Sequence, residues 1–265
     1  MGTIVITGSA SGIGAATRTR VEAAGHQVVG VDLREAEITA DLATPDGRQA
    51  ALAAVLEATG GVIDGLVTSA GLGPPVSAHL IADVNWFGTE VFLTGLREAL
   101  AASEGIAKVV AVSSNSTTTS PNTPDELIDA CLAMDAESVH AQIDAMESFS
   151  EGLAYAASKT AVARYVRRHA PTAEWAGAGI RLNAVAPGAT LTPLLQGGLD
   201  DENFGPMIKS FPVPTGDFGT PDQIAAWIEM MLGDAADFMA GSLVFIDGGT
   251  DAMVRADDWP RTFQM

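Results

Sequence analysis

Short β-branched runs alternate with longer helical stretches along the whole chain, and this alternation restricts the fold more than any single residue does. The runs are Thr3–Thr7, Gln27–Asp32, Glu37–Ala40, Gly65–Ser69, Lys108–Ser113, Ile180–Ala186 and Leu243–Ile246. Helical spacing falls near 12–24, 44–58, 79–101, 152–170 and 221–232. Continuously apolar strands need cover on both faces, and a strand–helix–strand crossover returns parallel. The pattern therefore predicts an α/β fold, a doubly wound parallel sheet of about seven strands with helices on both sides. Ligands of such a sheet bind at the carboxyl ends of its strands.

The chain has 265 residues, 47% of them apolar, which suits one domain over 1–265 and excludes wholesale disorder. A formal charge of −19 with only 14 basic residues argues against nucleic acid and against anionic membranes. The densest basic group, Arg164, Arg167 and Arg168, spaces as one helix face and reads as solvated. One cysteine, Cys131, excludes an internal disulfide and a cysteine-based zinc site, and the four histidines (His26, His79, His140, His169) lack ligand spacing, so no metal is expected. No apolar stretch is long enough to span a bilayer and the start lacks a basic leader, so a cytoplasmic protein is expected.

One segment interrupts the rhythm. Residues 121–151 contain eight acids (Asp125, Glu126, Asp129, Asp135, Glu137, Asp144, Glu147, Glu151) and no Lys or Arg. Thr123-Pro124-Asp125-Glu126 predicts a capping box. Two short acidic helices are expected, as an insertion too small to hold a core alone. Residues 251–265 read as a C-terminal tail.

Two motifs carry chemistry. In Thr7-Gly8-Ser9-Ala10-Ser11-Gly12-Ile13-Gly14, a strand leads through a glycine turn into a helix. Gly8 allows the turn, Gly12 allows close approach of a pyrophosphate, and Gly14 allows the helix to pack on the strand; the helix start then faces the phosphates, as in a Rossmann-type dinucleotide fold. Asp32 ends the second strand 18 residues later, followed by Leu33. A carboxylate there accepts ribose hydroxyls and repels a 2′-phosphate, which favours NAD over NADP.

The second motif is Tyr155-Ala156-Ala157-Ser158-Lys159, whose i and i+4 members share a helix face. A tyrosine phenol with pKa ~10 needs roughly 4 kcal/mol of differential interaction to drop about three units. The neighbouring ammonium and a cationic nicotinamide are expected to lower it, making Tyr155 a general acid/base.

In these motifs the sequence resembles the short-chain dehydrogenase/reductase family over residues 3 to 250. Further matches are Asp41-Leu42 beside the adenine, the helix asparagine Asn85, the serine pair Ser113-Ser114, Pro187-Gly188 to Thr192, and the closing Asp247-Gly248-Gly249. Ser69-Ala70-Gly71 stands where the family usually has Asn-Ala-Gly. The 41 positions from Ser114 to Tyr155, where most members have a far shorter connection, resemble the bacterial hydroxysteroid dehydrogenase/carbonyl reductase branch.

The resemblance implies that Tyr155 exchanges a proton with the substrate oxygen, that Ser114 hydrogen-bonds it, that Lys159 holds the nicotinamide ribose, and that Asn85 holds a proton-relay water. The strand itself leaves Ser113 and Ser114 as alternatives. It also implies cofactor contacts from Gly8, Ser11, Gly12, Ile13, Gly14, Asp32, Leu33, Asp41, Leu42, Ala70, Gly71, Pro187, Gly188, Thr190 and Thr192. The expected reaction is the NAD-dependent interconversion of a secondary alcohol and a ketone, with a 3α-hydroxysteroid or other bulky carbonyl as substrate. A smaller hydroxy or xenobiotic carbonyl compound, or a non-catalytic dinucleotide sensor, is the alternative. Phe204, Met207, Ile208 and Phe211 in the following loop offer an apolar substrate wall. A homodimer through 221–246 is expected, using Ile224, Trp227, Ile228 and Met231, with the tail near the partner and the acidic insertion obstructing a tetramer.

Overall fold

The structure is a computed structural model that describes residues 2–258 and 262. Seven strands form one parallel sheet: β1 (Thr3–Thr7), β2 (Gln27–Asp32), β3 (Ile38–Thr39), β4 (Gly65–Thr68), β5 (Ala107–Val112), β6 (Ile180–Pro187) and β7 (Leu243–Ile246). Their order is β3-β2-β1-β4-β5-β6-β7. The order reverses between β1 and β4, so their carboxyl ends open a crevice.

Successive side chains of a strand leave opposite faces, which splits the core in two. Ile4, Ile6, Val28, Val67, Val110, Val112 and Val185 meet α1 (Gly12–Ala23) and α12 (Pro221–Leu232) on one face. Val5, Val29, Val31, Leu66, Val109, Ala111 and Leu182 meet the other, covered by α2 (Pro45–Thr59), α4 (Gly88–Gly95) and α9 (Ser150–His169). Each fully buried Val, Leu or Ile contributes about 1.5–3 kcal/mol, so this alternation dominates stability.

The expected helix 79–101 is broken. It runs as α3 (Ala78–Ala82), a π-helical turn at Asp83–Phe87, α4, and α5 (Arg97–Ala101). The π turn accommodates Asn85, whose side chain is drawn to the Leu72 backbone. Between α6 (Ser116–Thr119) and α9 lie α7 (Asp125–Leu132) and α8 (Ala136–Asp144). They bury Leu127, Ile128, Cys131, Val139 and Ile143 against α9 and α3.

Three local expectations are corrected. Thr123 does not cap α7: its hydroxyl donates to the Ser120 carbonyl at 3.1 Å, and Pro124 is the cap residue. A capping box is present at Thr220 and Gln223 instead. Arg164 is not simply solvated but pairs with Asp125 at 2.8 Å, and Arg167 donates to the Gly241 carbonyl at 2.9 Å. Of the α12 stripe, Ile224, Ile228 and Met231 are spent on the sheet, and Trp227 remains 45% exposed. Two further helices, α10 (Pro193–Asp200) and α11 (Phe204–Ser210), follow β6, and α13 (Thr250–Val254) follows β7. The tail beyond Asp258, apart from Thr262, lies outside the described residues. No helix among the described residues is long and apolar enough to cross a membrane.

Candidate active site

A cleft of about 760 Å³ opens at the carboxyl ends of the strands. Of the catalytic, cofactor and substrate-wall residues expected from the sequence, all line it except Gly14 and Asn85. At one end the glycine turn links β1 to α1. Gly8 and Gly12 have φ of +69° and +53°, a region that favours glycine. A Cβ on Gly14 would stand 2.0 Å from the Gly8 carbonyl oxygen, so only glycine lets α1 sit this close. The cradle fits a dinucleotide pyrophosphate.

Asp32 is oriented by its neighbours. Its carboxylate accepts from the Ala10 N–H at 3.0 Å and the Leu33 N–H at 2.7 Å. Leu33, Asp41 and buried Leu42 continue this wall, and Arg48 steadies it by donating to the Leu42 and Ala43 carbonyls.

At the other end, β5 and α9 bring Ser114, Tyr155 and Lys159 together. The serine ambiguity is resolved geometrically. Ser113 Oγ donates to the Lys159 carbonyl at 2.8 Å and is spent inside the fold. Ser114 Oγ accepts from the Ser116 N–H at 3.1 Å and lies beside the Tyr155 phenol. Lys159 Nζ donates to the Val112 carbonyl at 2.9 Å.

Burial pushes the Tyr155 phenol above its ordinary range, and the neighbouring Ser114 hydroxyl only partly offsets it. Burial pushes Lys159 down to about 8. Desolvation thus outweighs the Ser114 hydroxyl at Tyr155, and the expected lowering is one that includes the charge of a bound nicotinamide.

Asn85 is fully engaged. Its Oδ1 accepts from the Leu72 N–H at 2.7 Å and its Nδ2 donates to the Leu72 carbonyl at 2.9 Å. Gly71 sits between it and Lys159: a Cβ there would lie 3.2 Å from Asn85 Oδ1 and 3.4 Å from Lys159 Nζ. Ala70 hangs from the Thr7 hydroxyl by its N–H.

The segment after β6 closes the cleft. Thr190 Oγ1 donates to the Gly188 carbonyl at 2.9 Å. Thr192 caps α10 by accepting from the Leu195 N–H at 3.2 Å, with Pro193 at the first helical position. Phe204, Met207 and Phe211 face the cleft from α11 and its end. Ile208 lines it with them, as its spacing implies, whereas Leu72, Leu80 and Leu194 share the apolar wall without a signal in the sequence.

A family model described as enoyl-(acyl carrier protein) reductase matches residues 8–251. The chain is 42% identical over 259 residues to the 3-alpha-hydroxysteroid dehydrogenase/carbonyl reductase of Comamonas testosteroni, covering 96% of this chain and 98% of that protein. The chain belongs to the short-chain dehydrogenase/reductase family. Within this family, the cis-4-hydroxycyclohexanecarboxylate dehydrogenase of Sinomonas cyclohexanicum is 30% identical over 266 residues, covering 94% and 96% of the two chains. The crystal structure of the 3-alpha-hydroxysteroid dehydrogenase from Pseudomonas sp. B-0831 complexed with NADH superposes with a TM-score of 0.90 at 43% identity, covering 97% of this chain and 100% of that one. The protein is accordingly a short-chain dehydrogenase/reductase with the seven-stranded fold of that family.

Proposed function

We propose that this short-chain dehydrogenase/reductase is an NAD-dependent enzyme that interconverts a secondary alcohol and a ketone on a bulky, cyclic carbonyl compound such as a 3α-hydroxysteroid. The observation that carries the reading is that Ser114, Tyr155 and buried Lys159 line one cleft together. Tyr155 donates its proton to a ketone oxygen and recovers it from the alcohol. Because Ser114 Oγ accepts from a backbone N–H, its own proton is free to hold the same oxygen. Lys159 spends one N–H on Val112 and keeps the others for a nicotinamide ribose. When bound, the nicotinamide supplies or accepts the hydride. With its side chain committed to Leu72, Asn85 would hold a relay water through its main chain at the π turn.

The glycine cradle holds the pyrophosphate, and Asp32 and Leu33 select NAD. Asp41, Leu42, Ala70 and Gly71 flank the adenosine half, and Pro187 to Thr192 the nicotinamide half. The apolar wall formed by Leu194, Phe204, Met207, Ile208 and Phe211 suits fused rings better than a small hydrophilic alcohol. The relatives named for a hydroxysteroid and for a hydroxylated cyclohexane carboxylate support a cyclic alcohol.

The chain is read as one cytoplasmic domain with 121–151 inserted, acting as a homodimer. The dimer reading has local support. Edge strand β7 leaves all four apolar residues half-buried, and nearby Trp227 and Phe238 are exposed.

Replacing Tyr155 with Phe is the central test. Turnover should fall at least 100-fold while NADH binding, followed by fluorescence, is retained, since general acid–base catalysis is worth about 10²–10⁴. Wild-type turnover in Tyr155→Phe would overturn the reading.

A further inference from the structure

The last described helix ties the two walls of the substrate cleft together. On one side is α6, the single turn after Ser114, whose Ser116 and Thr119 line the cleft. On the other is the end of the α10–α11 segment, where Phe211 lines it and Pro212 follows.

Between them lies α13. Asp251 accepts from the Thr118 hydroxyl at 2.5 Å with Oδ1, and its Oδ2 is held by Arg255 at 3.0 Å. One residue earlier, fully buried Thr250 donates to the Pro212 carbonyl at 2.8 Å. The turn into α13 is braced as well. Asp247 Oδ2 accepts from the Asp251 N–H at 2.7 Å and from Asn115 Nδ2 at 3.4 Å.

We infer that Asp251 is a positioning residue that sets the width of the substrate cleft, holding α6 through Thr118 while Thr250 holds the end of the opposite wall. The inference rests on the ketone–alcohol reading above. Thr118 does not line the cleft, so its effect travels through α6. A wide substrate touches both walls and depends on their separation. A compact one meets mainly Ser114 and Tyr155, which are held independently of α6: the N–H groups on either side of Ser114, of Ser113 and Asn115, donate to the Val185 and Pro187 carbonyls of β6, and Tyr155 is fixed on α9.

Thr118→Val keeps the side-chain shape and removes the hydroxyl. For a four-ring 3-ketosteroid, kcat/KM should fall about 5-fold, the size of one lost hydrogen bond, chiefly through KM. For cyclohexanone the change should stay under about 2-fold, and NADH affinity should hold. Thr118→Ser restores the hydroxyl and should recover the steroid KM. An equal loss on both ketones, no loss on either, or failure of Thr118→Ser to recover would overturn the inference. Those failures appear only in the variants, whereas a wild type inactive on both ketones overturns the functional reading and this inference together.

Discussion

Ser113 Oγ donates to the Lys159 carbonyl at 2.8 Å, so the first serine of the pair fastens β5 to α9 and the second is left facing the cleft. Ser114→Ala should lower kcat about 100-fold, as loss of one preorganised donor to a reacting oxygen does, with little change in stability. Ser113→Ala should do the reverse: it removes a buried hydrogen bond that fastens β5 to α9, costing about 0.5–1.5 kcal/mol by denaturant unfolding. The opposite ranking would show that the roles are exchanged.

Lys159 predicts a pH dependence of stability. Its pKa is pushed down to about 8 by burial, from an ordinary 10.5. Below pH 8 both folded and unfolded chains carry the proton, and the cost of burying the charge is fully present. Between 8 and 10.5 the unfolded chain keeps the proton that the folded chain sheds, so this cost disappears as pH rises. Thermal melts of wild type and Lys159→Met should therefore converge or cross in favour of wild type over that window. A parallel offset across it would refute the buried-ammonium account.

Asp32 is held by two backbone N–H groups and lines the cleft, where we place the adenosine ribose. Asp32→Ala should narrow the NAD/NADP preference in kcat/KM by about 10-fold or more, as removal of a close charge repulsion does. Equal use of both cofactors by wild type would remove the argument at its start.

The β7 edge and exposed Trp227 and Phe238 predict a dimer by light scattering at low micromolar concentration. Trp227→Glu with Phe238→Glu should shift it towards monomer by placing charges in an apolar contact. A wild-type tetramer would show that α7 and α8 do not obstruct the α4–α9 face.

Much of the site was legible because its parts are local. The glycine turn needs spacing alone, and Tyr155 and Lys159 share a face by helical period. The seven strands were legible to within one residue at each end, β3 included, although it is only Ile38–Thr39. The broken helix was not: the apolar period of 79–101 continues through the π turn, and only the Leu72 backbone, thirteen residues away, reveals why Asn85 bends it. Thr123 was misread as a cap because Ser120 competed for its hydroxyl.

The amino-acid order by itself determined the parallel sheet, the cofactor turn and the pairing of Tyr155 with Lys159, because each follows from a period or a turn within one stretch of chain. The tertiary structure alone decided which serine is available, since both lie at one strand end and only the packing of α9 consumes Ser113. It also decided how strongly desolvation acts on Tyr155. Proximity to Lys159 is written in the helix, but desolvation is set by everything that closes over it, and in this fold burial outweighs the neighbouring polar groups.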